Sequence, residues 1–533
     1  MSVDEFNVVL LLTTALLLVA IAAVRLSTQA GLPTLLLYLG LGLVVGESGF
    51  GVRFDDAELT QVVGLTFLAI ILAEGGLTTR WAVIRPVLGP SLVLATVGVA
   101  VSVTLTATVA AVALDVDLRT AILLGAVVSS TDAAAVFSVL RRLPLRRQLG
   151  ATLEAESGFN DAPVVILVSL VVSDAWDEAD PLAAVGEMLL QLSIGAAIGL
   201  LVARIGQVVL ARSALPSPGL YPVATMAFAL LAFGAAGVAG GSSFIAIYVA
   251  GLWLGNAPLP HRVATLGFAE GLAWLSQIGL FVLLGLLASP SRLPEALGPA
   301  LIVGTGLLLL ARPVSVLVST TPFRVPWREQ AFMSWAGLRG AVPIVLATIP
   351  LSQGLPGAQT VFDVTFLLVV VFTLVQAPTL PPLARRLGVV ASEDTAEVDI
   401  ESAPLDRIDG TLLQFRIPPR SRLAGVSVLE LRLPDEAAVT LILRGRRSIV
   451  PTETTTLAAG DHLLLVTTAR VRGLTERRLR AVSRQGRLAG WMGERGEDEV
   501  APLPGVRRAT RLRRRILDRT RSQVRWLRRV RGR

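Results

Sequence analysis

The sequence predicts an α-helical polytopic membrane protein that carries a small α+β domain behind its spans. Three observations lead there. Hydrophobic residues make up 53% of the 533-residue chain and its mean hydropathy is +0.67. That is more apolar side chain than a soluble core requires, so lipid must be part of the solvent. Apolar stretches long enough to cross a bilayer of roughly 30 Å number about thirteen between Val8 and Leu387. After Gly388 the composition turns abruptly polar, in Ala391-Ser392-Glu393-Asp394-Thr395.

The first span, Val8 to Val24, is too long for a signal-peptide core and follows Asp4 and Glu5 instead of a basic leader, so it is expected to stay in the mature protein. Arginines cluster on the cytoplasmic side of membrane proteins. Here Arg25, then Arg80 and Arg85, then Arg141, Arg142, Arg146 and Arg147, then Arg212, Arg262, Arg324 and Arg328, and finally Arg385 and Arg386 follow odd-numbered spans. The other loops carry Asp55, Asp56 and Glu58, or Asp115 and Asp117, or Asp174, Asp177, Glu178 and Asp180. The expected topology puts the N-terminus outside and the C-terminus in the cytoplasm, and it needs an odd number of spans. Expected domains are a transmembrane part over 1–390, a linker over 391–404, a soluble domain over 405–483 and a basic tail over 484–533. In the soluble domain, the alternating runs Thr411 to Ile417, Ala438 to Leu443 and His462 to Thr468 read as strands, and no Gly-rich phosphate loop precedes them. The tail holds thirteen Arg and one Asp from Arg507 on, which leaves the rest of the chain net acidic. Its Leu512, Ile516, Val524 and Leu527 at helical spacing suit an anionic leaflet, while a basic tail without fixed structure fits equally.

There is no cysteine, which excludes disulfides, thiolate metal sites and cysteine nucleophiles. Only His261 and His462 are present, and every basic residue is Arg. Proton handling therefore rests on carboxylates, and no lysine can serve as an intramembrane counter-ion. No enzymatic chemistry, cofactor or nucleic-acid partner is expected.

Ionisable groups inside spans cost ~2.5–3.5 kcal/mol on insertion scales, so each asks for a partner or a function. In the fifth span Ser129, Ser130, Thr131 and Asp132 interrupt an apolar helix. In the sixth, Glu156 and Asn160 are four apart, as are Ser157 and Asp161, which makes a polar ridge of two adjacent faces. In the twelfth, Gly337-Leu338-Arg339-Gly340-Ala341-Val342-Pro343 joins a cation to residues that let a helix break in mid-membrane. Glu74 lies near the inner end of the third span. The fifth and twelfth spans run in opposite directions, so their interrupted centres form an inverted pair of the kind found in secondary transporters. A hard monovalent cation wants oxygen ligands, and Thr131, Asp132, Ser157 and Asp161 supply them. One carboxylate can hold the cation or a proton but not both, and Asp161 is the expected shared site. Arg339 is expected to pair with Glu156 as a fixed ion pair, with Asn160 as a positioning residue. Asp132 reads alternatively as a charge partner for a helix terminus. Arg312, and Glu270 with Gln277, could line the pathway or pack between helices.

Through Thr131-Asp132, Glu156-Ser157-Gly158-Phe159-Asn160-Asp161 and Gly337-Leu338-Arg339-Gly340, residues 1 to 390 resemble the NhaP-type branch of the bacterial cation/proton antiporters, related to eukaryotic sodium/proton exchangers. The resemblance implies a multi-pass protein of the bacterial inner membrane and a homodimer. Its thirteen helices would form a dimerisation domain and a six-helix core that moves like an elevator, with crossed, unwound helices at the ion site. It implies Asp161 as the cation and proton carrier, Thr131, Asp132 and Ser157 as ligands, and Glu156 with Arg339 as the stabilising pair. Asn160, with Glu74 nearby, marks the electroneutral branch. Leu429-Glu430-Leu431-Arg432-Leu433-Pro434, Leu441-Ile442-Leu443-Arg444 and Gly460-Asp461-His462 are similar to the RCK_C, or TrkA-C, regulatory domain. That likeness implies a small regulatory ligand, such as a nucleotide or cyclic dinucleotide, and moves the expected cation from sodium toward potassium. A regulated potassium channel and an ion-binding membrane sensor are the competing readings. No Thr-Val-Gly-Tyr-Gly filter supports the channel.

Overall fold

A computed structural model describes residues 3–490, apart from 31–32, 48, 50, 52–53, 141–142, 144, 175, 177–179, 391–400, 406–409, 420, 446 and 469. The chain divides into two units, Met1–Ser392 and Glu393–Arg533. In the first, α1 (Val3–Ala30), α2 (Thr34–Val45) and α3 (Ala57–Thr78) lead into α4 (Trp81–Ile84), α5 (Leu88–Val93) and α6 (Val99–Leu114). These last three form one apolar stretch, with a 3-10 turn at Arg85–Val87 and a π turn at Leu94–Gly98. Next come α7 (Leu118–Val127), α8 (Ala133–Val139) and α9 (Arg147–Val172), and then α10 (Pro181–Arg212), α11 (Leu220–Val238), α12 (Ser243–Asn256) and α13 (Arg262–Leu287). The unit ends with α14 (Leu293–Gly306), a π turn at Leu307–Ala311, α15 (Arg312–Thr320), α16 (Trp327–Trp335), α17 (Ala341–Ser352) and α18 (Ala358–Leu387). Thus the order of π-interrupted helix, broken helix and long helix over residues 81–172 recurs over 293–387.

Among the described residues, eight helices are long and apolar enough to cross a membrane, and five shorter apolar ones accompany them. The thirteen spans expected from the sequence need each short helix to cross as well. Two of the short ones, α7 and α17, continue through a break into α8 and α16. Large apolar side chains such as Leu11, Leu18, Val112 and Val238 are exposed, as a lipid-facing surface requires. Between α3 and α12, Gly76 and Gly251 meet so closely that a Cβ on either would strike the other helix's backbone. This is the small-residue packing of membrane helices.

The second unit is built on an antiparallel sheet: β1 (Glu401–Leu405), β2 (Gly410–Arg416), β3 (Ala437–Arg444), β4 (Arg447–Ile449) and β5 (His462–Thr467), in the order β1-β2-β5-β3-β4. Alternate residues Leu413, Phe415, Leu463 and Leu465 are buried together with Leu479 and Val482 of α19 (Arg472–Gln485). The three strands expected from the sequence correspond to β2, β3 and β5. β1 falls at the end of the 391–404 stretch expected to be a linker; the rest of that stretch, 391–400, lies outside the described residues. So does the basic tail from 491 on, including Leu512, Ile516, Val524 and Leu527.

Candidate functional site

Two helix breaks make the site. The first, Val128 to Asp132, follows from Ser129, Ser130, Thr131 and Asp132, whose side chains compete with the helical hydrogen bonds. Ser129 Oγ donates back to Gly125 O at 2.6 Å. Asp132 caps the new helix α8, its Oδ1 accepting from Ala135 N at 3.2 Å. The second break, Ala336 to Gly340, lets α17 restart with Pro343 in its first turn, where a missing N–H costs nothing. The two breaks are bonded to each other, Asp132 N donating to Leu338 O at 2.9 Å. Gly340 lies against the Asp132 carboxylate so tightly that a Cβ there would collide with it. The positive N-terminal ends of α8 and α17 thus meet around one negative side chain.

On α9, Asp161 is buried and its Oδ1 accepts a 2.5 Å hydrogen bond from Ser130 Oγ. Ser157, one turn earlier, accepts from Ala133 N at 3.2 Å. Pro163 removes the hydrogen bond that the Phe159 carbonyl would accept in an unbroken helix. Asp161, Asp132, Ser157, Thr131 and Glu74 all line one cavity of about 380 Å³. A second cavity of about 460 Å³ shares Glu74 and Gln277 with the first and adds Glu270. Together they form an acidic approach to Asp161. Gln277 lines both cavities and Glu270 the second.

Glu156, Asn160 and Arg339 do not line this cavity. The expected Glu156–Arg339 pair is corrected by the structure. Arg312 is the partner, its Nη1 and Nη2 lying 2.5 and 2.9 Å from the two Glu156 oxygens, with both residues almost fully buried. The reason is local. The π turn at Leu307–Ala311 immediately precedes Arg312, whereas the break around Arg339 bends its guanidinium back onto Gly337 O at 3.1 Å. Arg312 and Arg339 share a small void of their own with Gly337 and Gln376. Asn160 Nδ2 donates to Thr131 Oγ1 at 2.8 Å, and Thr131 Oγ1 donates to Glu156 Oε1 at 3.4 Å, which links the ion pair to the first break.

Two residues were missed by the sequence reading. Ser130 bonds Asp161, and its signal was only its place in the Ser129–Thr131 hydroxyl run. Glu154 lines the cavity and accepts from Thr79 Oγ1 at 2.6 Å. It stands three and seven residues before Ser157 and Asp161, a spacing that puts all three on one helix face.

Residues 13–386 match the family model of the sodium/hydrogen exchanger, transmembrane part, and residues 412–479 match the TrkA-C domain. The chain is 36% identical over 475 residues to a K(+)/H(+) antiporter NhaP2 of Shewanella baltica, covering 87% of this chain and 82% of the relative. It is 34% identical over 472 residues to a K(+)/H(+) antiporter NhaP of Alkalimonas amylolytica, again covering 87% and 82%. The fold is similar to that of the sodium proton antiporter MjNhaP1 from Methanocaldococcus jannaschii at pH 8, with a TM-score of 0.64 and 22% identity over 72% of this chain and 99% of that one. These relatives are antiporters, not enzymes. A matched model that spans most of the chain places this protein in a known group: it belongs to the sodium/hydrogen exchanger family of multi-pass membrane proteins.

Proposed function

We propose that the protein exchanges a monovalent cation for protons by alternate occupancy of Asp161, with potassium favoured over sodium. One observation carries this reading: a buried carboxylate with a single hydroxyl donor stands at the cavity that Asp132, Ser157 and Thr131 also line. A dehydrated cation needs such a set of oxygens, and a proton on Asp161 removes the negative charge the cation requires. The two occupants therefore exclude each other, and coupling follows. Asn160 beside Asp161 adds no second titrating charge, which favours one-for-one, electroneutral exchange. The potassium assignment rests on the names of the K(+)/H(+) antiporter relatives and on the TrkA-C domain.

In the same reading the protein is a homodimer of the bacterial inner membrane, with the N-terminus outside and the C-terminus in the cytoplasm. The helices bearing the two breaks carry Asp161 across the membrane like an elevator, and the soluble domain regulates the movement through a small ligand such as a nucleotide or cyclic dinucleotide. The test is cation-driven proton flux in proteoliposomes. Asp161→Asn is expected to abolish the flux and Asn160→Asp to retain it, with potassium more effective than sodium and no dependence on membrane voltage. Unchanged flux in Asp161→Asn would refute the site, and voltage-driven potassium current without proton movement would make the protein a channel.

A further inference from the structure

Away from the ion site, α10 and α12 on one side and α4, α5 and α9 on the other enclose a cavity of about 650 Å³ with mostly apolar walls. Its few polar groups satisfy one another. Trp253 Nε1 donates to Gln207 Oε1 at 2.8 Å. Asn256 accepts from Trp81 N at 2.9 Å and donates to Thr79 O and Leu252 O. No buried donor or acceptor there asks for a ligand's hydrogen bond, so the interior suits a hydrocarbon. Trp81, Leu92 and Leu200 line the cavity and are also exposed. They belong to membrane-spanning stretches, so the solvent at that opening is the bilayer.

The rim is basic. Arg204 follows Leu200 by four residues and precedes Gln207 by three, so it shares their face of α10. Its guanidinium lies 5.1 Å from the centroid of the Trp253 ring. The side chain is exposed, and among the described residues no carboxylate pairs with it. It sits eight residues, about 12 Å, inside the Arg212 end of the helix, within reach of the headgroup level for a long side chain. Arg80, also exposed, is the chain neighbour of the cavity-lining Trp81. A cation in a spanning helix that, among the described residues, stacks on a Trp ring but has no carboxylate beside it calls for an anion from elsewhere, and basic pockets between spanning helices meet anionic headgroups in this way.

We propose that this cavity binds an anionic phospholipid, one acyl chain inside it and the phosphate on Arg204. The bound chain lies against Phe159, next to Asn160 on the helix that carries Asp161. Phe159 makes an edge contact at 5.1 Å with Tyr248, which lines the ion cavity. The lipid therefore sits two aromatic rings from the ion site.

The test titrates the purified full-length protein with phosphatidylglycerol or phosphatidylcholine of equal chain length and counts bound lipid by native mass spectrometry, with inorganic phosphate as competitor. The expected result is preferential retention of phosphatidylglycerol. Arg204→Gln should reduce that preference about fivefold and Arg204→Lys should keep it. Leu200→Trp, which fills the cavity, should weaken retention of both lipids, and Val249→Trp serves the same purpose should Leu200→Trp fail to fold. Equal retention of the two lipids, an unchanged preference in Arg204→Gln, or displacement by free phosphate overturns the proposal. Arg204→Gln dissociating a dimer without altering lipid retention overturns it as well, and assigns the surface to a second copy of the chain.

Discussion

At Glu156 both carboxylate oxygens are taken up by the Arg312 guanidinium, in a place from which water is excluded. Desolvation of such a pair offsets much of its attraction, so its worth shows when one partner is removed. Arg312→Ala is expected to destabilise the protein by about 3–5 kcal/mol, because Glu156 is left buried and uncompensated. The double substitution Glu156→Gln with Arg312→Gln should cost less than the sum of its parts, and Arg339→Ala less than Arg312→Ala. Thermal unfolding of the purified protein measures all of them, and equal losses for Arg312→Ala and Arg339→Ala would reinstate the pair expected from the sequence. That expectation failed for a physical reason. Arg339 advertises itself by lying in a Gly- and Pro-marked break, while Arg312 looks like any cation in an apolar run. Only the π turn before it, which no residue pattern announces, turns it toward Glu156. By contrast, Asp161, Asp132, Ser157 and Thr131 were legible as a group, since polar atoms in spans are costly enough to be noticed individually.

The two breaks are the elements on which the site depends, and both could be read in the sequence. Ser129-Ser130-Thr131-Asp132 and Gly337 to Pro343 hold the residues that interrupt helices. Their mutual contact was not legible, because nothing in either segment names the other. Gly340 is where that contact is tightest. Gly340→Ala places a methyl group on the Asp132 carboxylate and should lower exchange activity at least tenfold while leaving the protein monodisperse. Normal exchange in Gly340→Ala, measured as proton flux in proteoliposomes, would show that Asp132 can move away without consequence. Strand β1 was missed for a simpler reason. Its backbone pairs with β2 at the sheet edge, but the sequence Glu401-Ser402-Ala403-Pro404-Leu405 lacks the β-branched alternation that marked β2, β3 and β5.

For the molecule as a whole, class was the most legible property, since hydropathy alone separates the apolar helical unit from the more polar one that follows it. Which of the short helices complete a crossing depends on tertiary packing that hydropathy does not encode. The C-terminal sheet unit has its own acid limit. Burial pushes the Asp461 carboxyl up, but the Arg444 guanidinium and the Ala458 N–H, each 2.8 Å from it, outweigh burial and hold it below the ordinary carboxylate range. A depressed value means that this stabilisation is fully present above the unfolded value of about 3.9 and is lost as pH falls through the folded one. Unfolding of the sheet unit followed by amide hydrogen exchange in peptides from 401–485, corrected for intrinsic exchange, should therefore steepen below about pH 4. Asp461→Asn should unfold more readily at neutral pH, by about 2 kcal/mol, and lose that acid dependence. An acid profile unchanged in Asp461→Asn would trace the limit to another group.

The hydrogen bond from Asp132 N to Leu338 O has a mechanical meaning as well. It works as a rivet through two straps that approach from distant parts of the chain. Displacing one strap drags the other, so the Asp132 carboxylate and the Gly340 backbone packed against it stay in register.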